Sequence, residues 1–432
     1  MEPARSRRLA LALVFILLAL SAGIVFAKRS GTDYRVYSND FNVYYFASRQ
    51  ILAGHGPYDT GLGPWTPYLY TPLLAELMAP LALAPLPAAA YLWYLINLAS
   101  FIVAVRMAVS LTELNKARAG NTGVPPPVLH KYVVGIGASI ILGRFILDSF
   151  AMGQVNLLIT CLAIGHVDLY SRNRKGLSAL ALALACVLKI TPLVFLIYHL
   201  FRARWKYVMG TGLLTVAIGL ASFAVLGTGA VEGMSMFYSR TIRNGQGFDL
   251  SFSGNQSLRG AESRILHQSD EQSRKTTDPW SAALSGALVL FAGWKLISEG
   301  RNTTSNDSGA IPEGIAAAPF FCLAVMSSPL GWKNHFVILL LPIAILIRQA
   351  VTWRAEVRTS AAPFGRISIP ALGAIVALVC FDLTSPILIG NHLSEWADSH
   401  SVVFLATLAI YSITLAWRST LRPAVSSAGA RT

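Results

Sequence analysis

Long apolar runs recur from one end of this chain to the other, and they confine it to a membrane. Clear ones lie near residues 9–27, 88–111, 132–150, 154–170, 207–228, 280–298, 314–330, 335–350, 367–388 and 401–418. A helix of about 20 apolar residues crosses the ~30 Å hydrocarbon core, where every backbone N–H and C=O must be paired internally. The pattern predicts an all-α polytopic membrane protein with about 11–13 transmembrane or half-length helices. Composition agrees. The 432 residues are 54% hydrophobic and 13% charged, against about 25% charged in soluble domains, and mean hydropathy is +0.53.

The net charge of +14 does not indicate nucleic acid. The basic residues sit between apolar runs, where they set orientation and meet anionic lipid, and no continuous basic surface or soluble module is present. Cys161, Cys186, Cys322 and Cys380 all fall inside apolar runs. Their scatter fits no metal spacing, and small packing residues are expected. Arg5, Arg7 and Arg8 precede the first run. A signal peptide has the same basic start, and Ser21-Ala22-Gly23 suits one. The run is nevertheless long enough to span and more spans follow, so it reads as an uncleaved first helix with its basic end in the cytoplasm.

Two stretches are ambiguous. Residues 70–87 are apolar but carry Pro72, Pro80, Pro85, Pro87 and Glu76. Residues 176–201 exceed an upright span and are broken at Lys189-Ile190-Thr191-Pro192. Charge decides between the countings. If 70–87 does not cross and 176–201 is two short helices, all the basic clusters face the cytoplasm. These are Lys116/Arg118/Lys131, Arg172/Arg174/Lys175, Arg202/Arg204/Lys206, Arg348/Arg354/Arg358 and Arg418/Arg422. The opposite counting puts the first two clusters outside, against the positive-inside bias. The first counting leaves both termini in the cytoplasm, with half-length helices tolerated where they line a cavity. The external segments are then 28–69, the turn 153–156, the hairpin tip at Lys189, the loop 229–279, the turn 327–335 and the loop 389–400. The linker 298–314 is polar and reads as mobile.

Chemistry-bearing residues concentrate in those external segments. Asp40 opens a short aromatic helix that Ser38 or Asn39 can cap, with Tyr44 and Tyr45 following. A carboxylate in a first turn is favoured by the helix dipole, and tyrosines suit the headgroup level. A helix-start Asp on an interfacial helix is the plain structural alternative to a general base. The Pro-rich run Pro64-Trp65-Thr66-Pro67-Tyr68-Leu69-Tyr70-Thr71-Pro72 is either an aromatic belt or a wall of a substrate cleft. Lys189 lies in an apolar run, where a mid-membrane lysine costs roughly 2.5–3.5 kcal/mol, so it either marks the outer tip of a short hairpin or meets an anion. Arg144 and Asp148 are one turn apart and suit a mutual pair. The loop 229–279 carries Tyr238, Arg240, Arg243, Asn244 and then Asn255-Gln256-Ser257-Leu258-Arg259-Gly260. Its amides, hydroxyls and guanidinium groups suit sugar and phosphate, although any polar loop offers as much. Asn255-Gln256-Ser257 is also a glycosylation sequon. Trp332, Lys333, Asn334 and His335 crowd a short turn ahead of an apolar helix, a place that favours anions. No nucleotide loop, zinc spacing, nucleophile elbow or Asp-x-Asp occurs. No cofactor and no metal are expected, and a sugar moved outside the cytoplasm would travel on a lipid carrier.

Taken in order, these segments resemble the multi-spanning GT-C glycosyltransferases, and within them glycosyltransferase family 87, the polyprenol-phosphate-mannose-dependent α-mannosyltransferases. The matching features are Asp40 with Tyr45, Ala47 and Gly54 to Asp59, then Tyr70-Thr71-Pro72. They continue with Gly153-Gln154-Val155-Asn156, Lys189 to Pro192, Asn255 to Gly260, and Ser328-Pro329 through His335. Two details depart from the family's habit: Tyr-Thr-Pro replaces a frequent Tyr-Pro-Pro, and Lys333-Asn334-His335 replaces a frequent histidine pair. The resemblance implies a single GT-C domain over 1–432, with a catalytic module in 1–350 and additional helices in 360–432, and an external first loop carrying short interfacial helices.

It also implies an inverting hexosyltransferase. A hexose, expected to be mannose, passes from a polyprenyl-phosphate donor to a lipid-linked or envelope glycan acceptor, on the extracytoplasmic face of the plasma membrane. Asp40 would be the catalytic base, with Asp33 and Asp59 as substitutes if the local register differs. Lys189, Arg259, His335, Asn255, Gln256 and Lys333 would bind donor phosphate and sugar. Tyr44, Tyr45, Tyr70, Gln154, Asn156 and Trp332 would line the cleft. Partners are the lipid-linked sugar, the glycan acceptor and membrane lipids. A transporter or lipid flippase shares the helices, the broken hairpin and the buried lysine, but commonly shows two related halves, which this chain lacks. A non-catalytic assembly subunit would not need the Asp40 segment.

Overall fold

A computed structural model of the chain describes residues 17–31, 39–63, 66–118, 128–243, 250–266, 271–301, 311–359 and 368–416, with the backbone alone for 113–118, 128–130, 242–243, 271–278, 300–301 and 353–359. Outside the described residues lie Arg5, Arg7, Arg8, Asp33, Ser38, Pro64, Trp65, Asn244, most of the 298–314 linker, Arg418 and Arg422, as do the side chains of Lys116, Arg118, Arg243, Arg354 and Arg358. Among the described residues there are helices and no strands.

The first helix, α1, covers 17–31. Then come α2 (Asp40–Leu52), α3 (Pro72–Ala82), α4 (Leu86–Arg118), α5 (Val128–Ile141), α6 (Gly143–Met152), α7 (Asn156–Ser171), α8 (Lys175–Leu188) and α9 (Val194–Phe201). The chain continues through α10 (Trp205–Ala224), α11 (Ala230–Phe237), α12 (Leu258–Ile265), α13 (Glu271–Arg301), α14 (Glu313–Met326), α15 (Leu340–Thr359), α16 (Ile369–Leu378), α17 (Pro386–Ser399) and α18 (Val402–Ala416). Among the described residues four helices are long and apolar enough to cross a bilayer alone, at Leu86–Thr112, Trp205–Ala224, Pro279–Glu299 and Lys333–Thr352, and the number is six if each of two bent pairs is one span. Shorter apolar helices accompany them, and the protein is a multi-pass membrane protein.

Both ambiguous stretches take the expected form. The 70–87 run holds α3, whose 11 residues extend only ~16 Å, too short to cross. The 176–201 run breaks into α8 and α9 around Lys189, which ends α8 in an extended conformation before a 3₁₀ turn at Thr191–Leu193.

Other expectations are corrected. The run at 132–150 is not one straight helix: α5 and α6 meet at a 64° bend. At that bend Asp382 Oδ1 accepts from the Arg144 N–H at 2.9 Å and so caps the start of α6 from a distant element. The run 367–388 also bends, by 92°, before α17. Ser385 is extended at the N-cap and Pro386 starts the helix, the position where a missing N–H removes nothing. The segment 389–400, expected as a loop, is therefore mostly helix. The 229–279 loop likewise contains α11, a π-helical stretch Tyr238–Arg243 and α12. Arg144 donates to the Thr384 carbonyl and hydroxyl and to Ser394 Oγ, at 3.2–3.3 Å.

The described chain forms two compact units. Unit 1 is drawn from Met1–Phe101, Leu147–Leu158 and Ala217–Gln246, and unit 2 from Ile102–Ile146, Ile159–Val216 and Gly247–Thr432. In unit 1, α2 packs on α3, and the core is aromatic: Phe26, Phe41, Tyr44, Tyr58, Tyr68, Trp93 and Tyr94 are all buried. In unit 2, α14 is apolar around its whole circumference and is buried from Gly314 to Met326, as an all-round apolar helix should be. The Lys333–Thr352 span beside it is 78% buried, whereas Pro279–Glu299 is 22% buried and presents apolar side chains outward, the surface lipid would cover.

One basic cluster is tied down. Glu313, at the start of α14, pairs with Arg202 at 3.3 Å and with Arg204, and accepts from the Tyr198 hydroxyl. Arg204 also lies over the Tyr170 ring at 4.1 Å, a cation–π contact.

Candidate active site

In unit 1 the site residues form one hydrogen-bonded group. Asn39 caps α2, its side chain accepting from the Asn42 N–H at 3.0 Å, which leaves Asp40 in the first turn, where the dipole favours an anion. Gln154 Nε2 donates to Asp40 Oδ2. The other end of that amide, Oε1, accepts from the Tyr44 hydroxyl at 3.3 Å and from Asn156 Nδ2 at 3.3 Å. Tyr44 and Tyr70 share a 2.9 Å hydroxyl contact with rings edge-on at 5.2 Å. Burial, followed by their mutual interaction and the Asp40 carboxylate, holds Tyr44 far above the usual phenol range. Burial and Asp40 raise Tyr70 as well. Both phenols are therefore neutral beside the Asp40 carboxylate.

The turn Gly153–Asn156 brings Gln154 to Asp40. Gly153 has φ +63, and a Cβ there would lie 2.6 Å from Phe41 Cβ. Only glycine takes that conformation without strain. Its carbonyl accepts from Trp93 Nε1 at 2.7 Å, which anchors the turn to α4. Asp40 is half-buried, while Gln154 and Asn156 are 5% and 4% exposed. The carboxylate thus sits at the mouth of a polar network whose deeper members are closed off.

Not every named residue joins this group. The Tyr45 hydroxyl is bound to the Ala84 carbonyl at 3.0 Å, which ties α2 to the segment before α4. Asp59 is exposed and Oδ1 accepts from the Gly61 N–H at 3.3 Å, closing a local turn. Arg240 donates to the Tyr58 carbonyl and Thr241 to the Leu69 carbonyl, so the π-helical stretch grips the loop between α2 and α3.

Unit 2 holds the cationic and amide residues. Asn255 is fully buried: its Nδ2 donates to the Leu250 carbonyl at 3.2 Å, and its Oδ1 accepts from Ser257 Oγ at 2.9 Å and the Gly331 N–H at 2.8 Å. Gln256 is also fully buried. Its N–H donates to the Gly331 carbonyl at 2.8 Å, and its Nε2 to the carbonyls of Ser253 at 2.6 Å and Asp398 at 2.8 Å. These amides lace the 250–260 segment to the 327–335 turn and to the end of α17. With Asn255 sealed in, the sequon is not accessible in the folded chain. Gly331 allows the approach, since a Cβ there would lie 2.8 Å from the Ser257 nitrogen.

Ser257 caps α12, accepting from the Gly260 N–H at 3.1 Å, with Arg259 half-buried in the first turn. Trp332 packs edge-on to Phe252 at 5.8 Å. The His335 Nδ1–H donates to the Leu330 carbonyl at 3.1 Å, which fixes the ring and leaves Nε2 as the other ring position. Lys189 is half-exposed at the α8 break, and its charge is felt at His335. Lys333 pairs with Asp398 on α17. Arg144 faces the same carboxylate oxygen at 3.7 Å.

Asp398 was not foreseen from the sequence. It stands 65 residues from Lys333, and its local signal is an acidic residue at the end of a polar segment. Among the described residues, no group of three or more His, Cys, Asp or Glu is arranged to hold a metal.

Comparisons with known proteins bear on the family of the chain. The profile of glycosyltransferase family 87 matches residues 68–311, a stretch running from before α3 to beyond α13. Two polyprenol-phosphate-mannose-dependent alpha-(1-2)-phosphatidylinositol mannoside mannosyltransferases are each 28% identical to the chain. The one from Mycobacterium tuberculosis aligns over 365 residues, 81% of this chain and 78% of its own. That from Mycolicibacterium smegmatis aligns over 355 residues, 79% and 77%. A phosphatidylinositol pentamannoside mannosyltransferase from the same Mycolicibacterium is 26% identical over 271 residues, 63% of this chain and 58% of its own. Among solved structures, ArnT from Cupriavidus metallidurans bound to undecaprenyl phosphate aligns with a TM-score of 0.44 and 11% identity, covering 95% of this chain and 78% of that one. With the family profile matching more than half of its length, the chain belongs to glycosyltransferase family 87, a family of the GT-C class.

Proposed function

We propose that this glycosyltransferase moves mannose from a polyprenyl-phosphate donor to a glycolipid or envelope glycan, with Asp40 as the base. The observation that carries the reading is the Asp40 carboxylate, half-buried at a helix start and oriented by Gln154 within a group of neutral tyrosines. The donor is taken from the three relatives, all named for polyprenol-phosphate-mannose. An acceptor of the phosphatidylinositol mannoside kind follows from the same names.

Asp40 takes the proton of an acceptor hydroxyl as that oxygen attacks the anomeric carbon. A new C–O bond forms, and the bond from carbon to the phosphate oxygen breaks. Its electron pair leaves on the polyprenyl phosphate, and the proton ends on Asp40. A phosphate leaves as a stable anion, so the protein's second task is to neutralise growing negative charge. Lys189, Arg259 and Lys333 are assigned that role, and His335, whose Nδ1–H is committed to the Leu330 carbonyl, joins it only when Nε2 carries a proton. One displacement inverts the centre, and a β-linked donor yields an α-mannoside. The reaction in this form needs no cofactor or metal, since the lipid-linked sugar is itself a co-substrate. It is assigned to the extracytoplasmic face of the plasma membrane, with both termini in the cytoplasm. Membership of a glycosyltransferase family favours transfer over transport.

The test is purified full-length protein in lipid nanodiscs with synthetic polyprenyl-phosphate mannose and phosphatidylinositol mannoside acceptors. Asp40→Asn should lower kcat by about 10²–10⁴-fold, the usual worth of base assistance, with donor KM little changed. A near wild-type rate removes Asp40 from that role. Failure of the wild-type protein with every polyprenyl-phosphate hexose removes the function.

A further inference from the structure

The last two helices match no motif of the sequence, yet they hold the residues assigned to the donor phosphate. Asp398, near the end of α17, is 6% exposed. Its Oδ2 takes the Lys333 ammonium and faces the Arg144 guanidinium at 3.7 Å, and the side chains of these two cations are 21% and 12% exposed. Its backbone carbonyl accepts from Gln256 Nε2 at 2.8 Å. Three residues on, Ser401 Oγ accepts from Arg264 of α12 through Nε at 3.1 Å and Nη2 at 2.7 Å. The Phe404 N–H then donates to Gln256 Oε1 at 3.4 Å. One carboxylate is thus set between two cations, and the same short stretch clamps both the 250–264 segment and the 327–335 turn.

The charges also fit a positioning role. Two cations that meet the same carboxylate oxygen would repel each other in its absence. The carboxylate removes one unit of that excess and fixes the lysine to one place. A long flexible ammonium that must meet an anion in the transition state gains most from being held beforehand, because no reorganisation is then needed during the reaction. Asp398 Oδ1 is buried without a hydrogen-bond partner among the described residues. A carboxylate kept for packing alone would be expected to satisfy both oxygens.

We infer that Asp398 is a positioning residue for the transfer reaction, holding Lys333 in register for the donor's phosphate. The inference rests on the donor role assigned above to Lys333. Through Asp398 the helix pair α17–α18 becomes a working part of the enzyme.

A double-mutant cycle tests it, with full-length protein in nanodiscs and polyprenyl-phosphate mannose varied at fixed acceptor. Asp398→Asn should raise the donor KM or lower kcat about tenfold or more, with the acceptor KM within twofold of wild type. Lys333→Met should do the same. The double variant should be no worse than the poorer single, because both changes remove one interaction. Effects that multiply overturn the inference, as does an Asp398→Asn enzyme within twofold of wild type in both donor parameters. A loss shared equally between donor and acceptor, with a lowered melting temperature, marks a purely structural role and also overturns it.

If Asp398→Asn is not recovered folded, Asp398→Glu takes its place. It keeps the charge but moves it by one methylene, and should raise the donor KM several-fold. An unchanged donor KM in that variant sinks the inference. Wild-type turnover separates the two levels. Its absence with all polyprenyl-phosphate hexoses defeats the function, whereas its presence with indifferent Asp398 variants defeats this inference alone.

Discussion

Gln154 shows how a residue with no titratable group can govern one that has it. Its amide is pinned on one end by Tyr44 and Asn156 and presents the other to Asp40. A carboxylate on a free χ1–χ2 would sample several orientations, and a misplacement near 1 Å can cost about 10²-fold in rate. Gln154→Leu is close in volume but cannot bond at either end. It should lower kcat by about 10²-fold with little change in donor KM, as measured by initial rates in nanodiscs. Asp40 itself was legible in the sequence, as an acid at a helix start just past a span. Asn255 and Gln256 were legible as polar residues in an external loop, but the structure gives their amides to backbone groups of two other segments. A sequence shows that an amide is available. Its partners come from parts of the chain tens of residues away, and those are set by packing.

At the scale of elements, breaks in the apolar runs matter as much as the runs. The turn between α6 and α7 exists to deliver Gln154, and it depends on Gly153. A side chain there meets two penalties: the left-handed conformation, at about 1–2 kcal/mol, and overpacking against Phe41, at about 1–3 kcal/mol. Gly153→Ala should therefore lose roughly 2–5 kcal/mol of stability. Thermal unfolding in detergent would read the loss as a lower melting temperature, and activity should fall with it. The break between α8 and α9 was legible in Lys189-Ile190-Thr191-Pro192, where a charge coincides with a proline that disfavours a continuing helix; Pro80 and Pro319, without such a charge, are carried inside α3 and α14. The 64° bend between α5 and α6 was not visible. It is capped by an aspartate 238 residues further on that bonds the Arg144 N–H, and no local pattern announces such a cap. The helix α17 was missed for a different reason: it is too polar to read as a span, although Ser385 and Pro386 mark its start locally.

For the whole molecule, the arrangement of basic residues carries a prediction about orientation. Counting the spans so that lysine and arginine clusters share one side puts the α2–α3 segment outside and the 171–176 turn inside. His55 and Arg174 are both exposed. A cysteine introduced as His55→Cys should react with a membrane-impermeant maleimide on intact cells. One introduced as Arg174→Cys should react only after permeabilisation, and the reverse pattern would invert the topology. Arg202 and Arg204 belong to the same side but are held by Glu313 and are poor sites for this probe.

Sequence by itself determined the class of fold, the short helices that fail to span, the first-turn aspartate and the family. Each of these is written locally, in the length of an apolar run, in a proline, or in an ordered series of short motifs. Tertiary structure alone decided which side chains meet: Gln154 with Asp40, Asp382 with the start of α6, and Asp398 with Lys333 and Arg144. Membrane burial imposes a strict local rule on every helix, because backbone groups there must be paired within the segment. It imposes none on which polar side chain satisfies which, and that choice is left to the packing of helices far apart in the chain.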